Sequence, residues 1–366
     1  MRTILKVVGI ICVLAVGMIS CGGKHTDKGT IKLPYSSDDV ISFVELVDTL
    51  RSIQLEDSPE AILSDATKII EYNDKLFILD LAASKIKVFD ESGKYLYSIG
   101  RKGNGAGEYA MLFDFTINTN TGEVVMLAQG SVVYVYDEEG KFKEHKKVSD
   151  AFFLNITYVD GQYVCSANHS PYNEGDNAYL IHTFNQQFEE TGKYIPSLAI
   201  QVPDPGLFGS HLKSTEKNAY YMDMFTQKLY EIGQNGSEQL FDFFFPNPLP
   251  QNFDPMEMAQ HPTKYDWLFS FVPQNDHFII TYMADGHMNL AVMDHSGKVL
   301  ASGLLAGALL NMFPSDKNYI ISPVSKVEYY IDWLGYAYDD LSAEVMDSNL
   351  MIFKWKCNDK VFKEEK

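Results

Sequence analysis

The segment Lys85–Asp90 reads KIKVFD, with Ile86 and Val88 facing one way and Lys85 and Lys87 the other. That period of two predicts a half-buried strand. The run VVYVYD, ending at Asp137, is apolar or aromatic until its last residue, as expected of a strand covered on both faces. Each run ends in an aspartate and a turn: Asp90 with Gly93-Lys94, Asp137 with Gly140-Lys141, Asp294 with Gly297-Lys298. Asn185 with Gly192-Lys193 is a looser copy, and Ile232-Gly233 aligns with the same place. The copies recur at about 47 residues until an insertion, roughly Pro246 to Asn275, lengthens the last step. A second strand precedes each copy: Lys75–Asp80, Glu123–Ala128, Gln162–Ala167, Ala219–Met222 and His277–Tyr282. Polar turns such as Asn73-Asp74 and Asp160-Gly161 introduce them.

Each repeat therefore holds four strands in a period of about 40–50 residues, the signature of a propeller blade. Five blades are visible directly, and a sixth can be built from Tyr319 to Lys356. The strand-like segment Phe43–Glu56 is expected to pair with the C-terminal strand and close the ring. The expected fold is all-β, a six-bladed β-propeller with four-stranded antiparallel blades. A β-sandwich of many short strands is the alternative, and the regular spacing favours the propeller.

The N-terminus has a different pattern. Arg2 and Lys6 precede an uncharged apolar run, Val7 to Ile19, which is short of the ~20 residues needed to span a bilayer. Met18-Ile19-Ser20-Cys21 resembles a bacterial lipobox. Residues 1–20 are thus expected to be a lipoprotein signal peptide, with Cys21 as the lipidated residue anchoring the chain to a membrane. An ordinary signal peptide with a coincidental cysteine is the alternative. Residues 21–40 are polar, carry no period, and read as a tether. The propeller then occupies residues 41–366.

The formal net charge is −19, with 30 Lys and Arg against 49 Asp and Glu. That balance argues against nucleic acid as a partner. Beyond Cys12 and Cys21 only Cys165 and Cys357 remain. They form neither a disulfide framework nor a metal cluster. They are expected to be buried strand residues, with a single bridge between them as the alternative.

Several segments together resemble a known family: VELVDTLRSIQLEDSPEAIL, KIIEYNDKLFILD, KIKVFDESGKYLYSIGRKGNGAGEY, DFTIN, QKLYEI and MDSNLMIFKWK. The chain resembles the six-bladed β-propeller lipoproteins of Bacteroidota, which are related in blade pattern to NHL-repeat proteins. Many members carry Gly-Pro-Gly-Glu-Tyr where this chain has Gly105-Ala106-Gly107-Glu108-Tyr109. The resemblance implies a cell-envelope propeller and supplies no catalytic residue set. Surface export in such bacteria is associated with acidic residues soon after the lipid cysteine. Here only Asp27 follows closely, so the periplasmic side of the outer membrane is expected.

Candidate chemistry is sparse. The glycine-rich stretch IGRKGNGAGEY fits neither a dinucleotide fingerprint nor a P-loop, and the following LFDFTIN reads as a strand. It is expected to cross from one blade to the next, with Arg101 and Lys102 as candidates to face a ligand. No H-E-x-x-H, C-x-x-C or G-x-S-x-G occurs. No cofactor is expected. Calcium is retained as an alternative, either at Asn173–Asn177 or at the ring centre among Asp80, Asp114, Asp223 and Asp285. The remaining ligand candidates lie on loops read as the top face: His169, Tyr172, Asp223, His261, Tyr265, Trp267, Asp285 and His287. Aromatic residues there suit a glycan, a peptide or an envelope protein, but Tyr265, Trp267 and Phe269 are expected to pin the insertion to the domain, with ligand stacking as the alternative. The expected role is a non-catalytic binding module. The alternative is a calcium-assisted hydrolase or lyase with its site at the propeller centre.

Overall fold

The turn that repeats along the sequence is held together by its aspartate. Asp90 Oδ1 accepts the amides of Ser92 and Lys94 at 2.8 and 3.1 Å. Asp294 Oδ1 accepts those of Ser296 and Lys298 at 2.8 and 3.0 Å, and Asp137 Oδ1 accepts that of Lys141 at 2.8 Å. A carboxylate two residues ahead of the amide it binds mimics a backbone turn. The glycine completes the bend in a left-handed conformation, φ +90° at Gly93, where a Cβ would also run into the Gln54 carbonyl. The ladder slips by one residue beside each turn, as between Val88 and Phe89 and between Val292 and Met293. Such a bulge sharpens the twist of the outer strand.

The computed structural model describes residues 29–34, 40–41, 46–198, 211–250, 254, 260–261, 263–305, 311–315, 318–328, 341–346 and 348–358. Among these, the strands form six antiparallel blades around a central axis. Blade I is Lys68–Tyr72, Lys75–Asp80, Lys85–Asp90 and Tyr95–Ile99, from the inner strand outwards. Blade II is Leu112–Asn118, Glu123–Ala128, Val132–Tyr136 and Phe142–Lys147. Blade III is Asn155–Val159, Gln162–Ser166, Tyr179–Phe184 and Glu190–Pro196. Blade IV is Leu212–Ser214, Ala219–Asp223, Lys228–Gly233 and Gly236–Phe244. Blade V is Trp267–Pro273, His277–Ala284, His287–Asp294 and Val299–Leu305.

Blade VI joins the two ends of the chain. Its inner strands are Phe313–Pro314, Ile320–Val324 and Met351–Cys357. Its outer strand is Val47–Gln54, antiparallel to Met351–Cys357 with Ile53 opposite Ile352. The expected closure is therefore present. Six blades leave six seams, and each seam is a hydrophobic core of its own. Phe77 and Val88 of blade I meet Phe115 and Met126 of blade II. Val272 and Ile279 of blade V meet Ile320 and Phe353 of blade VI. Second strands are covered on both sides, so residues 76–80 are buried throughout, whereas residues 143–147 of an outer strand are exposed.

Part of the segment read as a tether is docked. Thr30–Lys32 runs parallel to the outer strand of blade IV, pairing Ile31 with Phe243. Leu33 is buried in the seam between blades IV and V, and Tyr282 donates its hydroxyl to the Pro34 carbonyl. Val40–Ile41 then pairs with the outer strand of blade V. These additions cover two strand edges that would otherwise be open. Cys21 lies outside the described residues, as does most of the aromatic stretch after Glu328. Cys165 and Cys357 are free thiols, which excludes the bridge. Burial raises both, Cys357 to about 12.

Candidate functional site

The inner strands of all six blades line a central channel that encloses about 530 Å³. The cavity reaches Asn73, Glu216, Asn275 and Asn318, at the end of the ring where inner strands turn into second strands. Its wall mixes apolar groups such as Ile70 and Phe313 with hydroxyls such as Thr116 and Thr157.

Two lysines dominate its electrostatics. Lys68 starts the inner strand of blade I and donates to Asp114 Oδ2 at 2.9 Å and to the Ile156 carbonyl at 2.8 Å. Asp114 also accepts the Ile156 amide at 2.8 Å. Burial pushes the Asp114 carboxyl up, against the pull of Lys68 and of the amides it accepts. Lys213, on the inner strand of blade IV, is 7% exposed and donates to Ser270 Oγ at 3.1 Å and the Met312 carbonyl at 2.7 Å. Burial lowers it to about 7, and the charge of Lys68 adds to the effect. Elsewhere on the wall, Glu71 receives Lys354 and the Ser315 hydroxyl. Thr157 Oγ1 and Ser214 Oγ share a hydrogen bond of 2.8 Å between blades III and IV.

Most of the sequence-predicted candidates sit at the other end of the ring, where blades cross to their neighbours. Arg101 and Lys102 pair with Glu108 and Tyr109 inside the glycine-rich crossing. Glu108 accepts the Gly105 amide at 2.8 Å and also pairs with Arg101. Those bonds, the Gly105 amide first, hold its carboxyl below the usual value. The crossing thus spends its amide and guanidinium on its own glutamate. The Arg101 side chain is 79% exposed.

His169 and Asp223, both top-face candidates, are brought together, Nε2 to Oδ1 at 3.1 Å, and both are buried. The Leu198 amide donates to His169 Nδ1 at 3.0 Å, so Nε2 carries the proton that Asp223 accepts. Burial works to raise Asp223, but His169, the Thr226 hydroxyl and the Phe225 amide outweigh it and hold the carboxyl below its ordinary value.

Trp267 begins the inner strand of blade V, inside the stretch read as an insertion, and is buried. With Met224, Phe225, Leu249 and Met283 it forms a satellite core, against which Tyr265 and Phe269 pack. They pin the insertion to the domain. Tyr172 is 73% exposed, its ring tilted on Phe152 at 5.3 Å. His261, Asp285 and His287 are exposed, and His287 Nδ1 donates to the Asp285 carbonyl at 2.8 Å.

The four central aspartates do not converge. Asp80 accepts the amides of Ser64 and Ala83, each at 2.9 Å. Asp114 serves Lys68, Asp223 serves His169, and Asp285 lies on an exposed turn. At the other calcium candidate, Asn173 holds both the amide and the carbonyl of Phe152, and Lys193 bonds Asn177. Among the described residues, no group of three or more His, Cys, Asp or Glu side chains is placed to hold a metal ion. No described helix is long and apolar enough to cross a membrane.

A family model described as "Domain of unknown function (DUF4934)" matches residues 28–338. Two solved structures share the fold. One is a protein described as exported, from Bacteroides fragilis, with 16% identity and a TM-score of 0.69, covering 90% of this chain and 100% of that one. The other is a member of the DUF4221 family from Bacteroides vulgatus, with 9% identity and a TM-score of 0.58, covering 86% and 97%. No curated protein matches the sequence.

Proposed function

We propose, for a chain that belongs to the DUF4934 family, that it is an exported binding module of the bacterial cell envelope whose small-molecule ligand enters the central channel. The channel itself carries this reading. Its volume, about 530 Å³, lies within the ~300–1,000 Å³ of small-molecule sites, and it joins apolar walls to a few fixed polar groups. Binding without turnover fits the commitments of the ionisable groups along it: Lys68 to Asp114, and Glu71 to Lys354. Lipidation of Cys21 would hold the module at the outer membrane, on the periplasmic side, with several acyl chains giving a stable anchor. The crossing end, with Tyr172 and His261 exposed, is then left for a glycan, peptide or envelope-protein partner.

A thermal-shift screen of the purified protein tests the channel reading. It should be run against small metabolites, with calcium added back after chelation as one arm. A channel ligand raises the melting temperature of the wild type with concentration, and Ser214→Trp, which fills the channel wall, abolishes the rise. A rise that survives Ser214→Trp would place the ligand elsewhere. For the anchor, Cys21→Ser should lose palmitate labelling and leave the membrane fraction.

A further inference from the structure

Blades I–III and IV–VI build the same cradle on opposite sides of the channel. Leu112-Phe113-Asp114-Phe115 of blade II corresponds to Leu268-Phe269-Ser270-Phe271 of blade V. Both strands slip register at the same point, between Leu112 and Asp114 and between Leu268 and Ser270. Lys68 reaches from blade I to the side chain of Asp114 in the next blade and to the Ile156 carbonyl one blade further. Lys213 reaches from blade IV to the side chain of Ser270 in the next blade and to the Met312 carbonyl one blade further. The matched phenylalanines also lie under the matched ammonium groups, Phe115 at 5.9 Å from Lys68 and Phe271 at 5.6 Å from Lys213. One chemical difference separates the cradles: the carboxylate of the first is a hydroxyl in the second.

Lys213 is consequently a buried cation with two neutral acceptors and, among the described residues, no carboxylate partner. An ammonium has three hydrogens to place, and an uncompensated buried charge is costly. We infer that the channel receives a small molecule through a carboxylate group bound by Lys213, in the role that Asp114 plays for Lys68. The inference rests on the channel being the ligand site. It favours a monoanion, because Asp114 already balances Lys68, Lys354 holds Glu71, and the exposed Glu216 at the channel end opposes further negative charge.

The pH behaviour supports it. Lys213 loses its proton near pH 7 in the empty channel, and a bound carboxylate would restore it. The charged and titratable groups around it are Lys68, Glu71 and Tyr72 from blade I, Asp114 from blade II, Tyr158 from blade III and Glu216 from its own blade. Ser270 and Phe271 of blade V and Phe313 of blade VI contact Lys213 and do not titrate, and blade VI also carries Lys354, which is held by Glu71. Carboxylate binding is therefore accompanied by proton uptake and weakens as the pH rises above that value.

Calorimetric titration with matched probes tests this: benzoate against benzamide, and glucuronate against glucose, in two buffers of different ionisation enthalpy. The acid of at least one pair should bind about 10-fold or more tightly than its neutral partner, with proton uptake. Ser270→Asp supplies the carboxylate from the protein and should erase that preference while keeping the melting temperature at or above wild type. Lys213→Met should erase it too. If neutral and acidic partners bind alike, the channel remains a ligand site and the carboxylate inference falls. If neither member of either pair binds, both readings fall. A preference that persists in Ser270→Asp puts the carboxylate away from Lys213 and overturns the assignment.

Discussion

Lys68 Nζ stands 2.9 Å from Asp114 Oδ2, both side chains are nearly inaccessible, and the pair ties the inner strand of blade I to that of blade II. Removing one partner from such a pair is worse than removing both, because the survivor keeps its charge without compensation. Asp114→Leu should lower the unfolding free energy by about 3–5 kcal/mol, and Lys68→Met/Asp114→Leu should recover much of that loss. Urea denaturation of the three proteins measures it. A double variant no better than Asp114→Leu would mean that the amide bonds of Asp114 carry the effect.

The depressed Lys213 sets a slope of stability against pH. Between about 7 and its ordinary value of 10.5, the unfolded chain holds a proton that the folded chain does not. Raising the pH through that window therefore removes a preference for the unfolded state. Wild type should gain stability across it relative to Lys213→Met, on the order of a few kcal/mol in total. Comparing the two by chemical denaturation along the window cancels the tyrosines that begin to ionise at its upper end. Parallel curves would show that Lys213 keeps its proton in the fold.

Ring closure rests on a single pair of strands, and Ile352 and Ile53 face each other across it, both buried in the seam between blades VI and I. Ile352→Ala should cost about 2–5 kcal/mol. Ile53→Ala should add less than its own separate cost, because the two share one cavity, with a coupling of about 0.5–3 kcal/mol in the double-mutant cycle. Strict additivity would indicate that blade VI stays formed when the closing strand loosens.

The repeat was legible because its turn makes a local chemical demand. An aspartate must cap the turn's amides and a glycine must bend left-handed, so Asp90 and Gly93 announce themselves again at Asp137 and Gly140. Closure was legible because the strand-like Phe43–Glu56 precedes the first full blade and the C-terminal strand needs a partner. The docking of Thr30–Lys32 was hidden, since three residues have too little pattern to reveal a partner some two hundred positions away. The anchoring role of Trp267 was legible from aromatics clustered in a long insertion, but not that the inner strand of blade V begins at that residue. The channel lysines were hidden for a different reason. A lysine in a strand ordinarily marks the solvent face, and only the meeting of six inner strands buries Lys68 and Lys213. The matching LFDF and LFSF motifs did carry the signal, but it acquires meaning only when the bond from Lys68 to Asp114 is set beside that from Lys213 to Ser270.

The N-terminal strap has a consequence for the order of assembly. Thr30–Lys32, Val40–Ile41 and Val47–Gln54 bind the outer edges of blades IV, V and VI in turn. Their partners are made late and in the same order: Gly236–Phe244, then Val299–Leu305, then Met351–Cys357. Pairings of such long sequence separation form slowly and leave strands exposed in the meantime. A chain that crosses a membrane N-terminus first would therefore hold that end unpaired while blades I–III form, and Val47–Gln54 would latch the ring as the last event.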